Sequence, residues 1–169
     1  LPRPALADDY DRWYIIEMGG GRAGWAHMVQ TTDGERITTS STMNFKLGRA
    51  KEGVGIGMEG TFVESKAGKP ISCRTVMRLG STPTTMDATY REKNIDIALT
   101  QAGGATRQTK PLPEGQWLTP AAASEFVTRR LAAKAESIEV RTVDAAGGMD
   151  PLAALEPVLI KHADCRATT

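Results

Sequence analysis

Aromatic side chains, cysteine and histidine are all scarce in this chain. Aromatics are 5% of its 169 residues, so a core must rest on Ile, Val, Leu, Met and Ala. Cys73 and Cys165 are the only cysteines, and His27 and His162 the only histidines. No C-x-x-C or H-x-x-x-H spacing occurs, so a structural zinc site would need all four to converge from distant positions. No charge of one sign dominates: 21 basic residues face 20 acidic ones, for a net charge of +1. Nucleic-acid binding rests on a concentrated positive field. The densest basic spots here, Arg129-Arg130 with Lys134 and Arg107 with Lys110, read as solvated faces. No stretch approaches the about 20 apolar residues of a membrane-spanning helix.

What is present is ordinary globular composition, 40% hydrophobic and 24% charged. A chain of this length fits one domain and buries about 70% of its unfolded surface. It therefore needs neither metal nor disulfide framework to fold. Near the N-terminus, Ala5-Leu6-Ala7 precedes Asp8-Asp9. That run reads either as the end of a secretory leader at an A-x-A site or as a Pro/Ala-rich arm. Cys73 and Cys165 are a candidate disulfide if the protein is exported; otherwise they are two unrelated thiols. Cys73 lies in an alternating segment, where a small buried hydrophobe suffices to explain it.

The dominant pattern is period-2 alternation. A run at 13–18, rich in Trp, Tyr and Ile, is followed by Gly19, Gly20 and Gly21, which supply a hairpin turn. The return strand runs over about 22–32 and ends at Asp33-Gly34. Next, Ile37, Met43, Phe45 and Leu47 share one parity with Thr39 and Ser41. The other parity carries Thr38, Ser40, Thr42, Asn44 and Lys46, so one face is buried and one is wet. Residues 48–53 form a turn. Val54, Ile56 and Met58 then alternate with Gly55, Gly57 and Glu59, which leaves one face of that strand bare. The strand continues through Phe62 and turns at 66–70. Further alternating runs fall at 73–79, 85–91 and 95–99, and Gly103-Gly104 closes another hairpin into 105–110.

After Pro111–Gly115 comes one helix, with Thr119 as N-cap and Pro120 at the first helical position. Ala123, Phe126, Val127, Leu131 and Ala135 mark its apolar face, and Glu125 and Arg129 pair at i,i+4. The helix should end near 135–137. Residues 138–143 alternate again and should rejoin the sheet, and 158–160 make a last strand. The expected fold is mainly β within the α+β class. It is a twisted antiparallel meander of about 8–10 strands packed around one amphipathic helix. Residues 1–11 are an arm or leader remnant, 12–151 the domain, and 152–169 a strand and tail leading toward a further domain.

Catalytic chemistry is hard to find. Lys161-His162-Ala163-Asp164-Cys165 holds a Cys, a His and an Asp, but triad partners normally come from separate elements. Asp8-Asp9-Tyr10-Asp11 lacks the glycine and distal Glu of a calcium loop. The G-x-G spacings within 19–24 have no helix after them, so a turn is the simpler reading than a phosphate cradle. Trp13, Trp25 and Trp117 could stack on a sugar or an apolar ligand, though core or rim packing is the simpler expectation. His27 reads as a hydrogen-bonded sheet residue. No catalytic, metal or cofactor-binding residue is assigned.

The order of features nonetheless resembles a known arrangement. Arg12-Trp13-Tyr14 leads through a glycine turn to Gly24-Trp25-Ala26-His27 and then to a polar strand with Asp33-Gly34. An Arg49-type turn follows, and Phe62-Val63-Glu64 stands ahead of Gly68-Lys69-Pro70-Ile71-Ser72. Pro111-Leu112-Pro113-Glu114-Gly115, the helix and a strand at 140–144 complete it. This is similar to the N-terminal β domain that precedes transglutaminase-like domains in exported bacterial proteins, over most of 12–151. The resemblance implies a non-catalytic accessory domain that positions a neighbouring domain or partner. The catalytic Cys, His and Asp would lie downstream, and none is carried over here. One rival reading is a periplasmic carrier of a lipid or other apolar ligand, with a half-barrel pocket lined by Met43, Phe45, Met58 and Met77. Another is a structural subunit held by strand edges.

Overall fold

A computed structural model describes residues 9–47, 53–79, 82–135, 137–143 and 149–152, and the backbone of 158–161. Eight strands hydrogen-bond in chain order into one antiparallel sheet. They are β1 (Tyr10–Met18), β2 (Gly21–Asp33), β3 (Arg36–Leu47), β4 (Val54–Ser65), β5 (Pro70–Leu79), β6 (Thr82–Tyr90), β7 (Asn94–Gln101) and β8 (Gly104–Pro111). Short turns between sequence neighbours allow nothing but antiparallel pairing. The β1–β2 turn takes positive φ at both Gly19 (59°) and Gly20 (79°), the conformation that matches strand twist in a two-residue hairpin. β1 and β8 do not pair, so the sheet stays open.

Register carries the sequence alternation onto two faces. The inner face gathers Ile37 and Thr39 of β3, Phe62 of β4, Cys73 of β5, Ala88 of β6 and Ile97 of β7, all buried. Thr39, Phe62, Cys73, Ala88 and Ile97 are successive cross-strand partners. The hydrophobic core is centred here, with Met86, Tyr90, Ile95 and Val143. Each large side chain fully buried in such a core contributes roughly 1.5–3 kcal/mol. Leu112, Trp117, Met149 and Leu152 pack against it from the segment that follows β8.

That segment holds the helix α1 (Pro120–Ala132), with Thr119 as N-cap and Pro120 in the first turn. Glu125 and Arg129 pair at i,i+4 as the sequence suggests. The helix stops a few residues early: Lys134 adopts a left-handed φ of 54°, and its N–H bonds back to the Leu131 carbonyl. A left-handed residue just past the last turn ends a helix by satisfying carbonyls that have lost their partners.

The expectation that 138–143 rejoins the sheet is corrected. β9 (Ser137–Val140) pairs instead with β10 (Val158–Lys161) in a separate two-stranded sheet. Ile138 and Val140 are buried, β9 contacts α1, and Thr142 makes a parallel bridge to Leu118. Alternation reports a half-buried strand but not which sheet it joins.

Candidate functional site

The four residues of the expected apolar pocket come together on the inner face. Met43, Met58 and Met77 are consecutive cross-strand partners on β3, β4 and β5. Phe45 lies one step along, in the row Phe45, Ile56, Leu79. All four are half-buried. They form a strip rather than a closed chamber. The strip runs out toward Leu47, Val54 and Leu79, which are 42%, 50% and 58% exposed. A row of Ser41, Gly60 and Thr75 separates it from the core row of Phe62 and Cys73. Ser41 and Thr75 are buried, and the Thr75 hydroxyl has no hydrogen-bond partner among the described residues.

At the opposite end of the inner face, Glu64 is 1% exposed. Its carboxylate accepts a 2.5 Å bond from the Thr119 hydroxyl and a 3.0 Å bond from the Ala121 N–H. Thr119 therefore does not cap its own helix with its side chain. A strand residue 55 positions away does so instead. Burial pushes the Glu64 carboxyl above its usual value, and the bonds from Thr119 and the helix backbone oppose that shift. Both carboxylate oxygens are used in holding α1 to the sheet, which fits structure rather than proton transfer. The Tyr90 phenol is likewise pushed up by burial in the core.

The outer face holds a groove of about 450 Å³ over β2 to β5. It is floored by Gly55 and Gly57, and Trp25, Asn44, Glu59 and Arg78 stand around it. Arg78 is paired with Glu59. Beside it, on the sheet edge, Trp13 stacks on His27 with ring centroids 4.1 Å apart and planes 11° apart. Trp25 lies 5.2 Å from Trp13. His27 Nε2 is 2.7 Å from an Asp11 oxygen, so the imidazole is held by a neighbouring strand, as its sheet position suggests. Trp13 is 65% exposed, whereas Trp117 packs on the core.

The remaining sequence candidates divide simply. Cys73 is buried among Phe62 and Ala88, and Cys165 lies outside the described residues, as do His162 and Asp164. The glycines at 19–21 make a hairpin. Among the described residues no group of three or more His, Cys, Asp or Glu could hold a metal ion. No described helix is long and apolar enough to cross a membrane. Sequence reasoning missed the role of Glu64. Its parity with Phe62 was the available signal, because an inward-facing carboxylate demands donors.

Such a chain is, by its geometry, an open β-meander covered at one end of one face. Compared with protein-family models, curated proteins and solved structures, it matches none.

Proposed function

We propose that this chain is a non-catalytic interaction domain of an exported bacterial transglutaminase-like protein, positioning a neighbouring domain or a partner protein. The observation that carries this reading is the apolar end of the inner face. There Leu47, Val54 and Leu79 stand exposed beside the methionine strip. Contiguous exposed apolar surface marks a place where another surface sits. Among the described residues β1 and β8 are the edge strands of the sheet, and their outer backbone donors and acceptors suit strand addition. The resemblance over 12–151 supports the placement ahead of a catalytic domain.

A photo-crosslinking residue at position 79 of the natural protein, irradiated in its own cells, tests this. The expected product is an adduct to polypeptide, either a downstream segment or a second protein. Adducts confined to lipid would overturn it and favour the second reading, a carrier of an apolar ligand. That reading draws on the row of Met43, Met58 and Met77, whose flexible thioethers adapt to varied apolar shapes. Lipid extraction and mass spectrometry of the purified protein check it directly: an empty protein without fatty-acid affinity excludes the carrier.

A further inference from the structure

The outer face is independent of the inner-face reading and has a chemistry of its own. Ile15, Trp25, Asn44, Gly57 and Arg78 are successive cross-strand partners from β1 to β5. A parallel row carries Trp13, His27, Thr42 and Glu59. The groove therefore crosses the strands, and from β2 to β5 it spans about 14 Å at the usual strand spacing. Its floor is bare because of Gly57: a Cβ there would lie 3.3 Å from Asn44 Oδ1 and 3.8 Å from the Arg78 Cβ. Gly55 has nothing within 4 Å.

Beside the groove, on β1, the Trp13 ring is backed on one face by His27, and the residue is still 65% exposed. A large, flat apolar ring held rigid and left in water is suited to stacking against a flat apolar face. The polar groups at the groove include both kinds. Arg78 and the Asn44 amide donate, and Glu59 and the Asn44 oxygen accept. A ligand that meets such a mixture must both donate and accept, which a hydroxyl does at a single atom. Arg78 is already paired with Glu59, which leaves Lys46 as the remaining cation among the groove's lining residues, a single charge rather than the concentrated positive field a polyanion calls for.

We propose that the outer face over β1 to β5 binds a neutral carbohydrate chain. Sugar rings stack on Trp13 and Trp25, and hydroxyls bond to Asn44, Glu59 and Arg78 along the glycine-floored groove. Carbohydrate is the occupant that combines flat C–H faces with hydroxyl edges.

The three tryptophans provide the assay. The isotope-labelled full chain is titrated with soluble oligomers of β-1,4-glucose, α-1,4-glucose and β-1,4-N-acetylglucosamine, and with a proline-rich peptide. The three indole N–H signals are followed by NMR. At least one glycan should shift the Trp13 and Trp25 signals saturably and leave Trp117 still. Trp13→Ala, at an exposed position, should weaken binding about tenfold when followed at Trp25. Gly57→Val, which fills the floor, should do at least as much while thermal unfolding stays near that of the parent. Four outcomes would overturn the proposal: no glycan moves Trp13 or Trp25, Trp117 moves with them, the peptide binds more tightly than any glycan, or both variants keep full affinity.

Discussion

Glu64 lies in line with Phe62 and Gly60 on the inner face, where an apolar side chain would bury without cost. Its two bonds to the start of α1 offset only part of its desolvation. Glu64→Ala would leave the Thr119 hydroxyl and the Ala121 N–H buried without their acceptor. The expected loss is about 2–3 kcal/mol in urea unfolding. The pH dependence follows from the raised carboxyl. Folded Glu64 holds its proton above the usual 4.5, so the folded state binds more protons than the unfolded one in that window. Its contribution to stability is fully present below about 4.5 and is lost as pH rises through the raised value. Wild type should therefore gain stability relative to Glu64→Gln as pH falls from neutral, with the other carboxylates cancelling between the two proteins. A relative loss on acidification would mean that the ionised carboxylate is the favoured cap. The residue's inward parity was legible in the sequence; its partner was not, because Thr119 lies 55 residues away and the pairing depends on where the helix docks.

At the scale of elements, the central strands were legible because they alternate for long enough to settle their own register, whereas β1 and β8, exposed along nearly their whole length, were marked by composition and by the glycine turns beside them. Ile37 to Leu47 is the clearest case, and the structure puts that parity on the inner face throughout. β9 was not legible in the same way, since four alternating residues fit any edge and burial against α1 decided the matter. Two glycines of similar appearance also differ. A Cβ on Gly24 would meet the Asn44 carbonyl oxygen at 2.0 Å and the Phe45 Cα at 2.6 Å. Gly24→Ala should therefore cost about 2–3 kcal/mol, as overpacking against backbone does. Gly55→Ala meets open space and should stabilise by roughly 0.5–1 kcal/mol, the usual gain over glycine within a strand. Paired denaturation curves that moved both variants the same way would contradict this difference in close approach. The helix end offers another check. Lys134→Gly relieves a left-handed residue and should raise stability by about 1 kcal/mol, with no loss of helical circular dichroism.

For the whole molecule, the decisive asymmetry is that one segment of chain covers one end of one face. Leu112, Trp117, Met149 and Leu152 close over the core, while Leu47, Val54 and Leu79 stand in water at the other end. The sequence pattern found the strip of Met43, Met58, Met77 and Phe45 because those residues share a parity. It carried no information on how far the covering segment reaches, since that is set by tertiary packing. The two ends should respond differently to charge. Val54→Lys with Leu79→Lys places ammonium groups where side chains are 50% and 58% exposed. Surface changes of this kind cost within about 0.5 kcal/mol each. The double variant should therefore unfold in urea within about 1 kcal/mol of the parent. It should bind an apolar fluorescent dye much less well, and it should lose the polypeptide adduct formed from a crosslinker at position 47. Destabilisation by several kcal/mol would show that these residues are closed core. Retained dye binding with normal stability would show that the surface responsible lies elsewhere, and would remove the inner face as the docking site.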